Sequence, residues 1–201
     1  SNIGRLAFCG CKSLKSITIP KSAVIGRIDS HLMVVLNSTL IGIDIANSQC
    51  SINGKPFESY EQMKTFNIPL SVAVIGDGAF DSCKSLEAVN IPCSVTMIGE
   101  FAFNECSSLK RAVIPPTVKR LGSRAFGGCK AIEYVEIYAP ITSIMDETFC
   151  LCKSLTGIRI PPSVRNIGRK AFAGCDKLKT VEIPPSVTNI GGDAFVRCNE
   201  L

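Results

Sequence analysis

The chain has 201 residues, 46% hydrophobic and 19% charged, and its 22 basic and 17 acidic side chains leave a net charge of +5. So large an apolar share with so little charge excludes intrinsic disorder, and the positive balance is too mild and scattered to call for nucleic acid. The densest apolar run, Leu32 to Leu36, is five residues long, against the roughly 18–20 that a membrane-spanning helix needs.

Taken from the start, Ile3-Gly4, Ala7-Phe8, Cys11, Leu14, Ile17 and Ile19-Pro20 form a first unit. Its successor begins 26 residues on, which puts a three-residue insertion within 21–30. Through 31–74 the pattern is degenerate: Val34, Asn37, Leu40, Ile43 and Ile45 fill its positions, then Ile52, Asn53, Phe57, Tyr60, Met63, Phe66 and Ile68. From 75 to 201 it is regular. Phe recurs at 57, 80, 103, 126, 149, 172 and 195, Cys at 83, 106, 129, 152, 175 and 198, and Ile at 45, 68, 91, 114, 137, 160 and 183, always 23 residues apart. Three ladders with one period signal a repeat solenoid. The expectation is one solenoid over 1–201, of about nine turns of 23 residues, cut in phase from a longer array.

Within a unit, Leu-x-x-Val-x-Ile reads as a short strand: Leu178, Val181 and Ile183 face inward, Thr180 and Glu182 outward. Twenty-three residues are too few for a helix pair, so successive strands should stack in parallel, joined by turns or a short helical segment at Ala-Phe. Pro at 20, 69, 92, 115, 161 and 184 has no N–H to donate and ends each strand. Gly at 4, 76, 99, 122, 168 and 191 is expected at a corner with positive φ. Asn53 stands in for it once, being tolerant of the same geometry. The Phe ladder should form a buried spine, because no unit can bury its own apolar side.

The pattern Ile-Gly-x-x-Ala-Phe-x-x-Cys-x-x-Leu-x-x-Val-x-Ile-Pro-x-Ser-Val, complete over Ile75–Val95 and Ile167–Val187, resembles the BspA-like class of leucine-rich repeats. The resemblance covers essentially the whole chain and is strongest over 75–201. It implies a right-handed leucine-rich-repeat coil on a secreted or cell-surface protein, of a kind that adheres to host proteins or other cells.

Eleven cysteines raise disulfide and metal chemistry. Side chains one strand spacing apart, about 4.8 Å, lie outside the preferred disulfide Cβ range of about 3.5–4.5 Å. Tyr60 and Asn37 also replace two rungs. Cys11 and the six ladder cysteines are therefore read as buried, reduced thiols behaving as small hydrophobes. Cys9, Cys50, Cys93 and Cys150 lie off the ladder, and Cys93, beside Pro92, is the candidate for an exposed thiol. Cys9-x-Cys11 and Cys150-x-Cys152 stand six units apart with His31 as the only imidazole, so no metal site is assigned. Asp29, Ser30 and His31 are consecutive, and consecutive residues rarely converge on one reacting atom. No catalytic residue and no cofactor are assigned.

Outward strand positions on a solenoid make one continuous surface. Its centre here reads Arg111, Val113, Tyr134, Glu136 and Arg159, and Tyr and Arg are enriched in binding hot spots. These five are the candidate partner-binding residues. The expected function is a non-catalytic protein–protein interaction or adhesion module whose ligand is a host matrix or cell-surface protein. The alternative is a structural spacer that projects another domain and has no ligand of its own. No aromatic side chains interleave with the basic residues in the manner of a single-strand nucleic-acid platform.

Overall fold

A computed structural model describes residues 64–201, except 69 and 71, together with the backbone of five short strands before them. The first unit over 3–20, the Asn37 rung and Cys9 lie outside the described residues.

From Thr65 onward the chain is a parallel coil. Thr65–Asn67 pairs with Ala88–Asn90, and Arg111–Ile114, Tyr134–Ile137, Gly157–Arg159 and Thr180–Glu182 form a four-stranded parallel sheet. On a second side, Val74–Ile75, Met97–Ile98 and Arg120–Leu121 pair in parallel, as do Ser143–Ile144, Asn166–Ile167 and Asn189–Ile190. Every register partner is 23 residues away, so each rung sits beside its own repeat.

The core is a set of self-stacking ladders. Phe80, Phe103, Phe126, Phe149, Phe172 and Phe195 stack with centroids 4.9–5.8 Å apart and ring planes within 13° of parallel. That spacing satisfies both the sheet, about 4.8 Å per strand, and offset ring stacking at about 4.5–7 Å. Phe66 covers the near end of the stack with a tilted ring 5.3 Å from Phe80. Isoleucines on the two sheet sides, Leu86, Leu109 and Leu155, and the ladder alanines fill the remaining interior.

The third side of each turn holds two left-handed residues. Gly78, Phe101, Arg124, Glu147, Lys170 and Asp193 have φ of 53–62°, and Ser82, Glu105, Gly128, Leu151, Gly174 and Arg197 have φ of 55–71°. A non-glycine residue held there costs about 1–3 kcal/mol. The stack over-determines the geometry. Phe101, Phe103 and Glu105 donate their N–H groups to the carbonyls of Ser123, Ala125 and Gly127 at 2.7–3.0 Å, and the same three bonds recur in the turns on either side. The Ala-Phe stretch is thus a hydrogen-bonded turn, and none of the described residues is helical.

Two expectations are corrected. Among the described residues the corner glycines, Gly76, Gly99, Gly122, Gly168 and Gly191, do not adopt positive φ. Gly122, Gly168 and Gly191 are needed instead because the neighbouring turn runs against them. A Cβ on Gly122 would lie 2.5 Å from the Glu100 nitrogen, and one on Gly191 2.6 Å from the Arg169 nitrogen. Among the described residues the parallel stack has six strands on its first side, beginning at Thr65, where the repeat count led to about nine turns over the whole chain. Earlier strands pair antiparallel: Gly26–Ile28 with His31–Met33, and Ile43–Asp44 with Gln49–Ile52 and Lys55–Phe57 in turn. The physical reason is local. Asn53-Gly54, between the last two strands, is the strongest short-range hairpin signal, and residues 29 and 30 alone separate the first pair.

Candidate functional site

The outward side chains of the first sheet fall in two rows. One runs Thr65, Ala88, Arg111, Tyr134, Gly157, Thr180, and the other Asn67, Asn90, Val113, Glu136, Arg159, Glu182. Alternation along each strand sets them apart from the buried residues between them, such as Ala112, Val135 and Ile158.

Tyr134 is 58% exposed. Arg111, its register partner, donates from Nη2 to Glu136 Oε1 at 3.0 Å. Val113 is half-buried beside Glu136. The second Glu136 oxygen accepts the Tyr138 hydroxyl at 2.9 Å, so both carboxylate oxygens are committed. That bond, together with the carboxylate's charge, holds the Tyr138 hydroxyl above its ordinary titration range. Arg159 stands 3.8 Å from Glu182, with side chains 85% and 79% exposed. Four of the five candidate residues thus cluster around Glu136, and Arg159 extends the row one turn further.

Tyr138 was not among the candidates. It occupies the rung that holds Pro92, Pro115, Pro161 and Pro184 in other turns. Its N–H donates to the Ile114 carbonyl at 3.0 Å, a bond no proline can make. The signal available in the sequence was this break in the Pro ladder within the regular repeats. The same turn departs from the pattern again at Met145, where other turns have Gly, and at Thr148, where they have Ala. Thr148 is fully buried and its hydroxyl is satisfied by the Met145 carbonyl at 2.8 Å.

The thiol ladder does more than fill space. Cys106, Cys129, Cys152, Cys175 and Cys198 each direct Sγ at the carbonyl of the Phe 26 residues earlier, at 3.1–3.3 Å. That carbonyl also accepts a backbone N–H within its own turn, so the S–H satisfies its second lone pair. Burial pushes the Cys129 and Cys152 thiols far up, keeping them neutral. Cys93 is exposed and Cys150 buried. The hydroxyl two residues after the strand-ending Pro has a place in three turns: Thr117, Ser163 and Ser186 donate to the Val95, Ile141 and Val164 carbonyls of the preceding turn at 2.7–2.8 Å.

Among the described residues no group of three metal-ligating side chains converges, and no helix is long and apolar enough to cross a membrane. The exposed rows and their ion pairs offer stacking, hydrogen bonding and charge pairing to a second molecule.

Comparison with known proteins agrees with this architecture. A family model described as "BspA type Leucine rich repeat region" matches residues 1–110 and 74–201 with six copies. Among curated proteins nothing matches significantly. A leucine-rich repeat protein from Bacteroides ovatus is similar at 24% identity and TM-score 0.53, over 84% of this chain and 53% of its own. A leucine rich repeat protein of T. pallidum is similar at 26% identity and TM-score 0.62, over 75% of this chain and 74% of its own. One from Eubacterium ventriosum is 21% identical with a TM-score of 0.63, over 89% and 57%. The chain spans little more than half the length of the first and third of these. With the motif, the parallel coil and the matched family model in agreement, this chain belongs to the BspA-type leucine-rich repeat family.

Proposed function

We propose that the chain is a non-catalytic protein-interaction module of a secreted or surface-displayed protein, working in adhesion to a host matrix or cell-surface protein. Its partner binds the outward strand face centred on Arg111, Val113, Tyr134, Glu136 and Arg159. The observation that carries this is the exposed, hydrogen-bonded group Arg111–Glu136–Tyr138 beside Tyr134 on a continuous parallel face. Tyr and Arg on a rigid scaffold make contact at low entropic cost, which suits a recognition surface. Family membership supports a repeat protein of the interaction type.

The test is binding of the chain to a panel of immobilised matrix proteins, with Tyr134→Ala alongside. Binding that weakens at least about tenfold in the variant, as for loss of a hot spot, with unchanged thermal unfolding, supports this function. A panel that retains nothing above a control with scrambled surface residues turns the assignment to a spacer that projects another domain.

A further inference from the structure

The outward row has a missing rung. Tyr134, Gly157 and Thr180 are successive register partners, and Gly157 places no side chain between the other two. The fold does not demand glycine there. At Gly122 and Gly168 an added Cβ would lie 2.5 Å from the neighbouring turn, and backbone of that turn crowds both sites. At Gly157 φ is ordinary and the nearest atom would be Thr180 Oγ1, the tip of a rotatable side chain, at 3.1 Å. Glycine weakens a strand, and inside one it often marks the close approach of a ligand or another backbone.

The notch has a definite size and chemistry. Its two walls are two strand spacings apart, about 9.6 Å. A ring seated over Gly157 would lie one spacing from Tyr134, within the range of about 4.5–7 Å at which rings stack. The buried Phe residues of this protein already stack at 4.9–5.8 Å on the same repeat. Arg159 follows Gly157 by two residues and so shares its face. Glu136 has both oxygens engaged by Arg111 and Tyr138. Arg159 makes only a long, exposed ion pair at 3.8 Å, although a guanidinium carries five donors. Glu182, the other member of that pair, is nearly as exposed but stands on the next strand, whereas Arg159 is on the strand of the notch itself, so the charge nearest the notch is positive.

Resting on the interaction-face assignment above, we propose that the notch over Gly157 takes one aromatic side chain of an acidic, extended peptide segment. The guest ring stacks on Tyr134, and a nearby carboxylate of the same segment meets Arg159.

The test is selection of a random phage-displayed peptide library on the 201-residue chain, followed by affinity measurement on variants. Enriched peptides should pair an aromatic residue with a neighbouring Asp or Glu. Gly157→Thr, which fills the notch with a good strand residue, should lower their affinity at least about tenfold, the effect of losing one anchor. Gly157→Ala, a smaller filling, should give an intermediate loss with unchanged thermal unfolding, and Arg159→Gln should reduce the salt dependence. Enrichment of nothing, or of peptides lacking that pairing, overturns the proposal. So does wild-type affinity in Gly157→Thr. If Tyr134→Ala then still loses binding, the interaction face survives and only the notch falls; if Tyr134→Ala also binds normally, the face falls too.

Discussion

The inward and outward rows of the same turns follow different rules. Inward, Phe103, Phe126, Phe149 and Phe172 repeat without change, as do Cys106, Cys129, Cys152 and Cys175. Outward, the matching positions read Arg111, Tyr134, Gly157 and Thr180. On these two ladders each side chain has a copy of itself as neighbour above and below, so only a residue that packs on itself at the strand spacing is accepted. An outward side chain meets solvent or a partner, and its identity is open to other demands. The inside specifies the coil, and the outside is where recognition can be written.

The comparison breaks most readily from the inside. Phe126→Ala removes a ring stacked on both faces and should destabilise the array by about 3–5 kcal/mol, measured by denaturant unfolding. Gly122→Ala forces a Cβ to within 2.5 Å of the Glu100 nitrogen. Overpacking against backbone should cost about 1–3 kcal/mol, at the upper end because no side chain can yield. Cys129→Ala leaves the Phe103 carbonyl with one partner instead of two and should cost about 1 kcal/mol. On the outside, the smallest effect is electrostatic. The Glu136 carboxylate holds the neutral Tyr138 phenol, so its contribution is complete below the ordinary tyrosine value of about 10 and is lost as pH rises through the higher folded value. In Glu136→Gln, phenolate absorbance attributable to Tyr138 should appear at lower pH than in the parent, while thermal unfolding near neutrality falls only slightly, because the exposed pairs of Glu136 contribute little there.

Much of this was legible because the ladders are strictly periodic. Phe, Cys and Ile spacing alone located the buried spine and the inward faces, since identical neighbours enforce identical residues. What was illegible depends on non-local contacts. Phe101, Arg124 and Glu147 sit at positive φ although their types avoid it; bonds to the next turn hold them, and no residue nearby in sequence announces that. Corner glycines looked conformational and proved steric, because the crowding atoms belong to a residue 22 or 23 positions away. Asn53-Gly54 shows the opposite failure. Reading it through the repeat concealed an ordinary hairpin signal, and the strands around it pair antiparallel. On the candidate face, the repeat identified which positions point outward, whereas the link from Tyr138 to Glu136 came from a break in the Pro ladder.

The stacking of each turn on its own repeat is tested most directly by residue-resolved amide hydrogen exchange. The N–H groups of Phe80, Phe103, Phe126, Phe149 and Phe172 donate across turns to the carbonyls of Ala102, Ala125, Thr148, Ala171 and Ala194. Strong protection at all five, recurring every 23 residues, is the predicted result. Exchange of these amides at the rate of exposed loops would contradict the coil, and with it the separation of inside from outside.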